Sequence, residues 1–124
     1  MLKCGDTFLI EDEDGPECHL WIVITPPSEG EVVIVSVTTK RKKSETLTVL
    51  KKGDHPFIEH ESVIAYRHSK VVTVESIEVA IRNGTAKRHE AVSPQLLKRV
   101  KTGLLESDFT ENGVRSLYKA FTGE

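Results

Sequence analysis

Ten consecutive residues, Gly53-Asp54-His55-Pro56-Phe57-Ile58-Glu59-His60-Glu61-Ser62, carry two histidines, three acids and a serine. An imidazole has an unperturbed pKa of about 6.5, so His55 and His60 can take or give a proton near neutrality. His19 follows an acidic stretch and opens the apolar run Leu20 to Ile24, and the neighbouring negative charge favours its protonated form. Thr38 and Thr39 end a second apolar run with two hydroxyls. Tyr66-Arg67-His68, followed by Lys70, sets an aromatic ring beside a guanidinium, the equipment for stacking a base and holding a phosphate of single-stranded RNA. These types support proton transfer beside a phosphate.

Metal chemistry is not expected, and neither is a bound cofactor. His55 and His60 stand five apart with a proline between them, which is neither the i, i+4 helical nor the i, i+2 strand spacing of a local metal pair. Cys4 and Cys18 lack ligand spacing and read as reduced small side chains. The sequence contains no Gly-x-Ser-x-Gly turn, no phosphate-cradling glycine loop and no dinucleotide fingerprint. Each candidate also has a plainer role open to it. His19 can be a hydrogen-bonded structural histidine, Thr38 and Thr39 ordinary strand residues, and Tyr66 the end of a buried strand. Phe57 and Ile58 can plug the open end of a barrel, with His55 and His60 in local hydrogen bonds.

The elements that would position these residues are mostly strands. Val, Ile and Thr total 33 residues against 15 for Ala and Leu together. Phe8 to Ile10, His19 to Thr25 and Glu31 to Thr38 read as three strands, the second stopped by Pro26-Pro27 and paired with the third across the Ser28-Glu29-Gly30 turn. The second and third are apolar nearly throughout, so their middles should be buried on both faces. Thr46 to Leu50, Ser62 to Tyr66, Val71 to Val74 and Ile77 to Ile81 read as further strands, ending at the Asn83-Gly84 turn. Ser93-Pro94 is an N-cap followed by proline at the first helical position, with Leu96, Leu97, Val100 and Leu104 at helical spacing. A second helix is expected from about Thr110 to Phe121, with Val114, Leu117, Tyr118 and Phe121 on one face.

The 124 residues and 38% apolar composition fit one domain able to bury roughly two-thirds of its unfolded surface without a disulfide or metal staple. The longest apolar run is five residues, about a quarter of what a bilayer-spanning helix requires, so no membrane role is expected. Acidic residues follow Met1-Leu2-Lys3 without an apolar stretch, which reads as an intracellular, cytoplasmic chain. Charge is segregated. Residues 1–31 hold one base and eight acids, while 40–52 and 82–101 each hold six bases and one acid. If those two basic segments meet, they make a surface for a polyanion; apart, they are solvated faces.

The order Gly5-Asp6, His19-Leu20-Trp21-Ile22-Val23-Ile24-Thr25, Val33-Ile34-Val35-Ser36-Val37-Thr38-Thr39, Ser62-Val63-Ile64 and a closing helix, over roughly residues 3 to 105, resembles the PemK/MazF-like family of toxin ribonucleases. The resemblance implies a mainly β fold, a small Src-homology-3-like twisted barrel with C-terminal helices, the barrel over about 3–82 and the helical part over about 93–122. It also implies a homodimer, an antitoxin protein as partner, and metal-independent cleavage of single-stranded RNA through the RNA 2′-hydroxyl. That chemistry needs a base, an acid and a donor for the phosphorane charge. Catalysis then falls to His19, His55 and Arg67, with Thr38, Thr39, His60, Ser62 and Tyr66 on the substrate. Family members that cut RNA carry Arg-Pro where this chain has His19-Leu20. A barrel that kept its groove and lost cleavage, binding RNA or a protein segment instead, is the alternative.

Overall fold

The computed structural model describes residues 2–11 and 18–124. Its elements are β1 (Thr7–Glu11), β2 (Cys18–Val23), β3 (Glu31–Thr39), β4 (Val49–Leu50), β5 (Ser62–Thr73), α1 (Val74–Arg82), β6 (Ala86–His89), α2 (Pro94–Glu106) and α3 (Asn112–Thr122). The acidic stretch 12–17 that precedes His19 in the sequence lies outside the described residues. The strands form one sheet, ordered β4-β5-β3-β2-β1-β6, with every neighbouring pair antiparallel. It is a curled half-barrel, mainly β, with β4 and β6 as its two ends.

The centre of the sheet is apolar on both sides because both sides are covered. Leu20, Ile22 and Ile24, with Val33, Val35 and Val37, face a first core completed by Leu96, Val100 and Leu104 of α2 and by Val114 and Tyr118 of α3. Trp21, Val23, Val32 and Ile34 alternate to the other face and meet Ile77 of α1 and Ala86 of β6. α1 spans nine residues and covers only part of that second face. Farther along the same side Ser36 and Thr38 of β3, with Val63 and Ala65 of β5, line an open groove instead.

Four elements differ from their sequence pattern. Ile77, Val79 and Ile81 alternate as a strand would, yet residues 74–82 are helical. Thr73 caps them, accepting from the Ser76 amide at 3.1 Å, and Glu75 lies in the favourable first turn. Val74, Ile77, Ala80 and Ile81, at helical spacing, supply the face that packs. Val71 to Val74 is not a separate strand, since β5 runs from Ser62 to Thr73, and the strand expected at Thr46 shrinks to Val49–Leu50. β6, too short and basic to read as a strand, extends the sheet past residue 82 by pairing with β1. The Ser93 cap behaves as its sequence says, accepting from the Leu96 amide at 3.1 Å ahead of Pro94.

One irregularity organises the rest. Between the pairs Ile34↔Lys70 and Ser36↔Ala65, β3 contributes Val35 alone and β5 contributes Tyr66 to Ser69. The Ser69 hydroxyl closes this bulge by donating to Tyr66 O at 2.6 Å. Tyr66 turns wholly into the first core, where its hydroxyl donates to Val100 O at 2.8 Å and shares a hydrogen bond with Thr48 Oγ1 at 2.8 Å. α2 is thereby tied to β5, and Gly103 lets it come close. A Cβ at Gly103 would stand 2.6 Å from Thr48 Oγ1 and 2.7 Å from Tyr66 Cζ. Gly103→Ala is therefore expected to lower stability by about 1–3 kcal/mol in urea titrations. Gly113→Ala, whose Cβ meets nothing within 4 Å, should be neutral or raise it by up to about 1 kcal/mol. An unchanged midpoint for Gly103→Ala would show that α2 does not pack on Tyr66 this closely.

Candidate functional site

Strand alternation brings His19 and Trp21 of β2, Ser36 and Thr38 of β3 and Val63 and Ala65 of β5 to one side of the sheet, where they line a groove of about 670 Å³. Ser36 and Ala65 are small and buried, so the floor is low. The bulge in β5 sends Arg67 and His68 outward onto one wall, beside Lys70. The connection from β3 to β4 adds Arg41, Lys43, Ser44 and Glu45. Three bases besides Arg67 and two imidazoles thus surround one acid, giving a field suited to an anion.

Several of these side chains are held. Arg67 donates from Nε to Glu45 Oε2 at 3.3 Å, and its own amide donates to the same oxygen at 3.1 Å. The ring of Phe109, from the loop between α2 and α3, lies 4.4 Å from its guanidinium carbon. The Lys70 ammonium sits 4.8 Å over the Trp21 ring. His19 Nδ1 is 3.4 Å from Val37 O. The Arg41 amide donates to Ser44 Oγ at 2.8 Å, which turns the basic run toward the groove, while Lys40 leaves it to pair with Glu61 at 2.8 Å.

A second hollow continues from the first through His19, Thr38 and Arg41 and reaches Thr39, His60 and Ser62. The Ser62 hydroxyl donates to His60 O at 2.8 Å. Of the residues singled out in the sequence, His19, Thr38 and Arg67 therefore meet in the main groove, and Thr39, His60 and Ser62 in its extension. Two do not join them. Tyr66 is wholly buried under α2, with its phenol pushed up to about 12 by that burial, and offers no ring to a base. His55 lines a separate cleft with Lys52 and Ala91, and both of its nitrogens are engaged. Nε2 donates to Glu90 O at 2.6 Å, 35 residues away, and Nδ1 accepts locally from the Phe57 amide at 3.0 Å, so the structure does not bring His55 to His19.

Trp21 and Glu45 also line the groove without standing out in the sequence, and Arg41 and Lys43 reach it from the basic segment 40–52. Trp21 was legible, because it shares the parity of His19 on β2. His68 and Lys70 were noticed beside Arg67, but the bulge that gives them one wall has no local signature. The two basic segments do touch, through Arg99 Nη2 donating to Val49 O at 2.7 Å. That contact lies outside the groove, which draws Arg41 and Lys43 from the first segment and nothing from the second. Among the described residues no group of three or more His, Cys, Asp or Glu side chains can hold a metal ion, and Cys4 and Cys18 are free thiols. No described helix is long and apolar enough to cross a membrane.

No family model matches the sequence, and no curated protein matches it. The fold does have a counterpart. The chain is similar to the crystal structure of MazE–MazF (form III) from Deinococcus radiodurans, with a TM-score of 0.57 and 14% identity over 85% of this chain and 94% of that one. The fold is MazF-like. The curled sheet and closing helices expected of that fold are present.

Burial pushes the His55 pKa below the usual imidazole value, against the opposing hydrogen bond to Glu90 O and with help from the charge of His89. A histidine whose folded value is depressed contributes stability above its unfolded value, near 6.5, and loses it as pH falls through the folded value. Thermal melts should therefore drop between pH 7.5 and 5.5, and His55→Gln should flatten that slope. Parallel slopes for the two proteins would show that His55 is protonated as readily in the fold as outside it.

Proposed function

We propose that the groove binds single-stranded RNA and cleaves it without a metal, as the toxin of a toxin–antitoxin pair. The observation that carries this reading is the gathering of His19, Arg41, Lys43, Arg67, His68 and Lys70 around Trp21 and Thr38 on the open half of the sheet. Cations hold phosphates, and an indole gives a base a face to stack on. One imidazole takes the proton of the RNA 2′-hydroxyl, the freed oxygen attacks the adjoining phosphorus, and the P–O5′ bond breaks. The second imidazole protonates the departing 5′-oxygen, leaving a 2′,3′-cyclic phosphate and a 5′-hydroxyl. In this reading His19 and His68, which line the same groove, take these roles, with Arg67 and Thr38 on the phosphorane oxygens. The same reading includes a second copy of the chain and a short acidic antitoxin as partners in the cytoplasm, and these rest on the fold alone.

A non-catalytic RNA-binding module is the second reading. It is favoured by the loss of the family's Arg-Pro and by the engagement of Arg67 Nε with Glu45.

Incubating the protein with a long unstructured RNA in EDTA should give discrete fragments ending in cyclic phosphates. His19→Ala and His68→Ala should each slow cleavage by about 10²–10⁴. Trp21, the single tryptophan, should lose fluorescence as RNA is added. Quenching with intact RNA selects the binding module, and neither quenching nor cleavage overturns both readings.

A further inference from the structure

We propose that Glu45 and Phe109 are positioning residues that hold Arg67 as a preset fork for an RNA phosphate, which makes the loop between α2 and α3 part of the groove. The inference rests on the RNA reading above. An arginine side chain is long and flexible, and fixing it on a ligand ordinarily costs its rotamer freedom. Here that freedom is already reduced by two contacts. Glu45 Oε2 accepts from both the backbone amide and Nε of Arg67, and the guanidinium carbon lies over the Phe109 ring, 4.4 Å from its centroid. Nη1 and Nη2, the two nitrogens that grip a phosphate bidentately, donate to no described residue and belong to a side chain on the groove wall.

Two features make little sense as stability devices and good sense as positioning. Phe109 is 50% exposed, yet its loop is pinned in place. Its amide donates to Ser107 Oγ at 3.1 Å, Thr110 Oγ1 donates to Leu104 O at 2.9 Å, and Arg115 Nη2 donates to Ser107 O at 2.6 Å. Those bonds fix an apolar ring in water, over a guanidinium. The Glu45 side chain is only 4% exposed, and its Oε1 has no hydrogen-bond partner among the described residues. A buried carboxylate with one oxygen unsatisfied weakens a fold. What it supplies is the direction of Arg67.

The test is the affinity of the full chain for a fluorescently labelled single-stranded oligoribonucleotide, followed by anisotropy, with a thermal melt for each variant. Phe109→Leu should weaken binding about three- to tenfold, and Phe109→Trp, which restores a cation–π face, should recover it. Glu45→Gln keeps an acceptor for the Arg67 amide and removes the charge. It should weaken binding by a similar factor while leaving the melting temperature unchanged or raised, a combination no purely structural role produces. In an Arg67→Ala background, Phe109→Leu should cost nothing further, because its effect runs through the guanidinium. Losses that add across that cycle, or a Phe109→Leu protein that binds as wild type, overturn the clamp while leaving the RNA reading intact. A wild-type protein that does not bind the oligoribonucleotide overturns the RNA reading and the clamp's role with it.

Discussion

Four residues of β5 set against one residue of β3 divide this protein into its two working parts. In an uninterrupted ladder, side chains from Tyr66 onward would alternate strictly between the covered core and the open face. The bulge breaks that count. Tyr66 goes inward to bond Val100 O and Thr48, and Arg67 and His68 both go outward. The inward half fixes where α2 lies, with Gly103 permitting the contact. The outward half concentrates charge on one wall of the groove. Removing the bulge would shift the register of everything beyond it, because a strand has a period of two.

The groove exists because the second face of the sheet is only partly covered. α1 covers part of it through Ile77 and neighbours, and beyond α1 the floor of the groove includes the small or short side chains of Ser36, Thr38 and Ala65. Small residues on the floor leave room, and the connection from β3 to β4 folds its basic run over the edge through the Arg41–Ser44 hydrogen bond. Opposite, on the first face, α2 and α3 complete a continuous core. The sheet thus has a rigid, helix-covered side and, on the other, an open charged strip.

How much of this was legible depends on how local the cause is. The doubly apolar runs of β2 and β3 and the Ser93-Pro94 cap announce themselves, since burial on both faces and helix entry leave direct marks on composition. His19, Thr38 and Arg67 were readable as candidates from residue type, and the geometry does bring them together. α1 was not, because Ile77, Val79 and Ile81 satisfy period two as well as the helix does, and the Thr73 cap is a single hydroxyl. His55 looked like chemistry and is bonded to a backbone carbonyl 35 residues away, a partner no window of sequence reveals. Tyr66 looked like a stacking ring beside Arg67. β5 alternates up to the bulge, so with Ala65 on the groove side Tyr66 takes the core side.

In the proposed function RNA occupies the open strip between β2, β3 and the β5 bulge. Titrating ¹⁵N-labelled protein with a single-stranded oligoribonucleotide and mapping amide and indole shifts tests it most directly. Shifts are expected to concentrate at Trp21, Thr38, Ala65, Arg67, His68 and Lys70, with the His55 cleft silent. Shifts centred instead on Lys87, Arg88, Lys98 and Lys101, or none at saturating RNA, would contradict it.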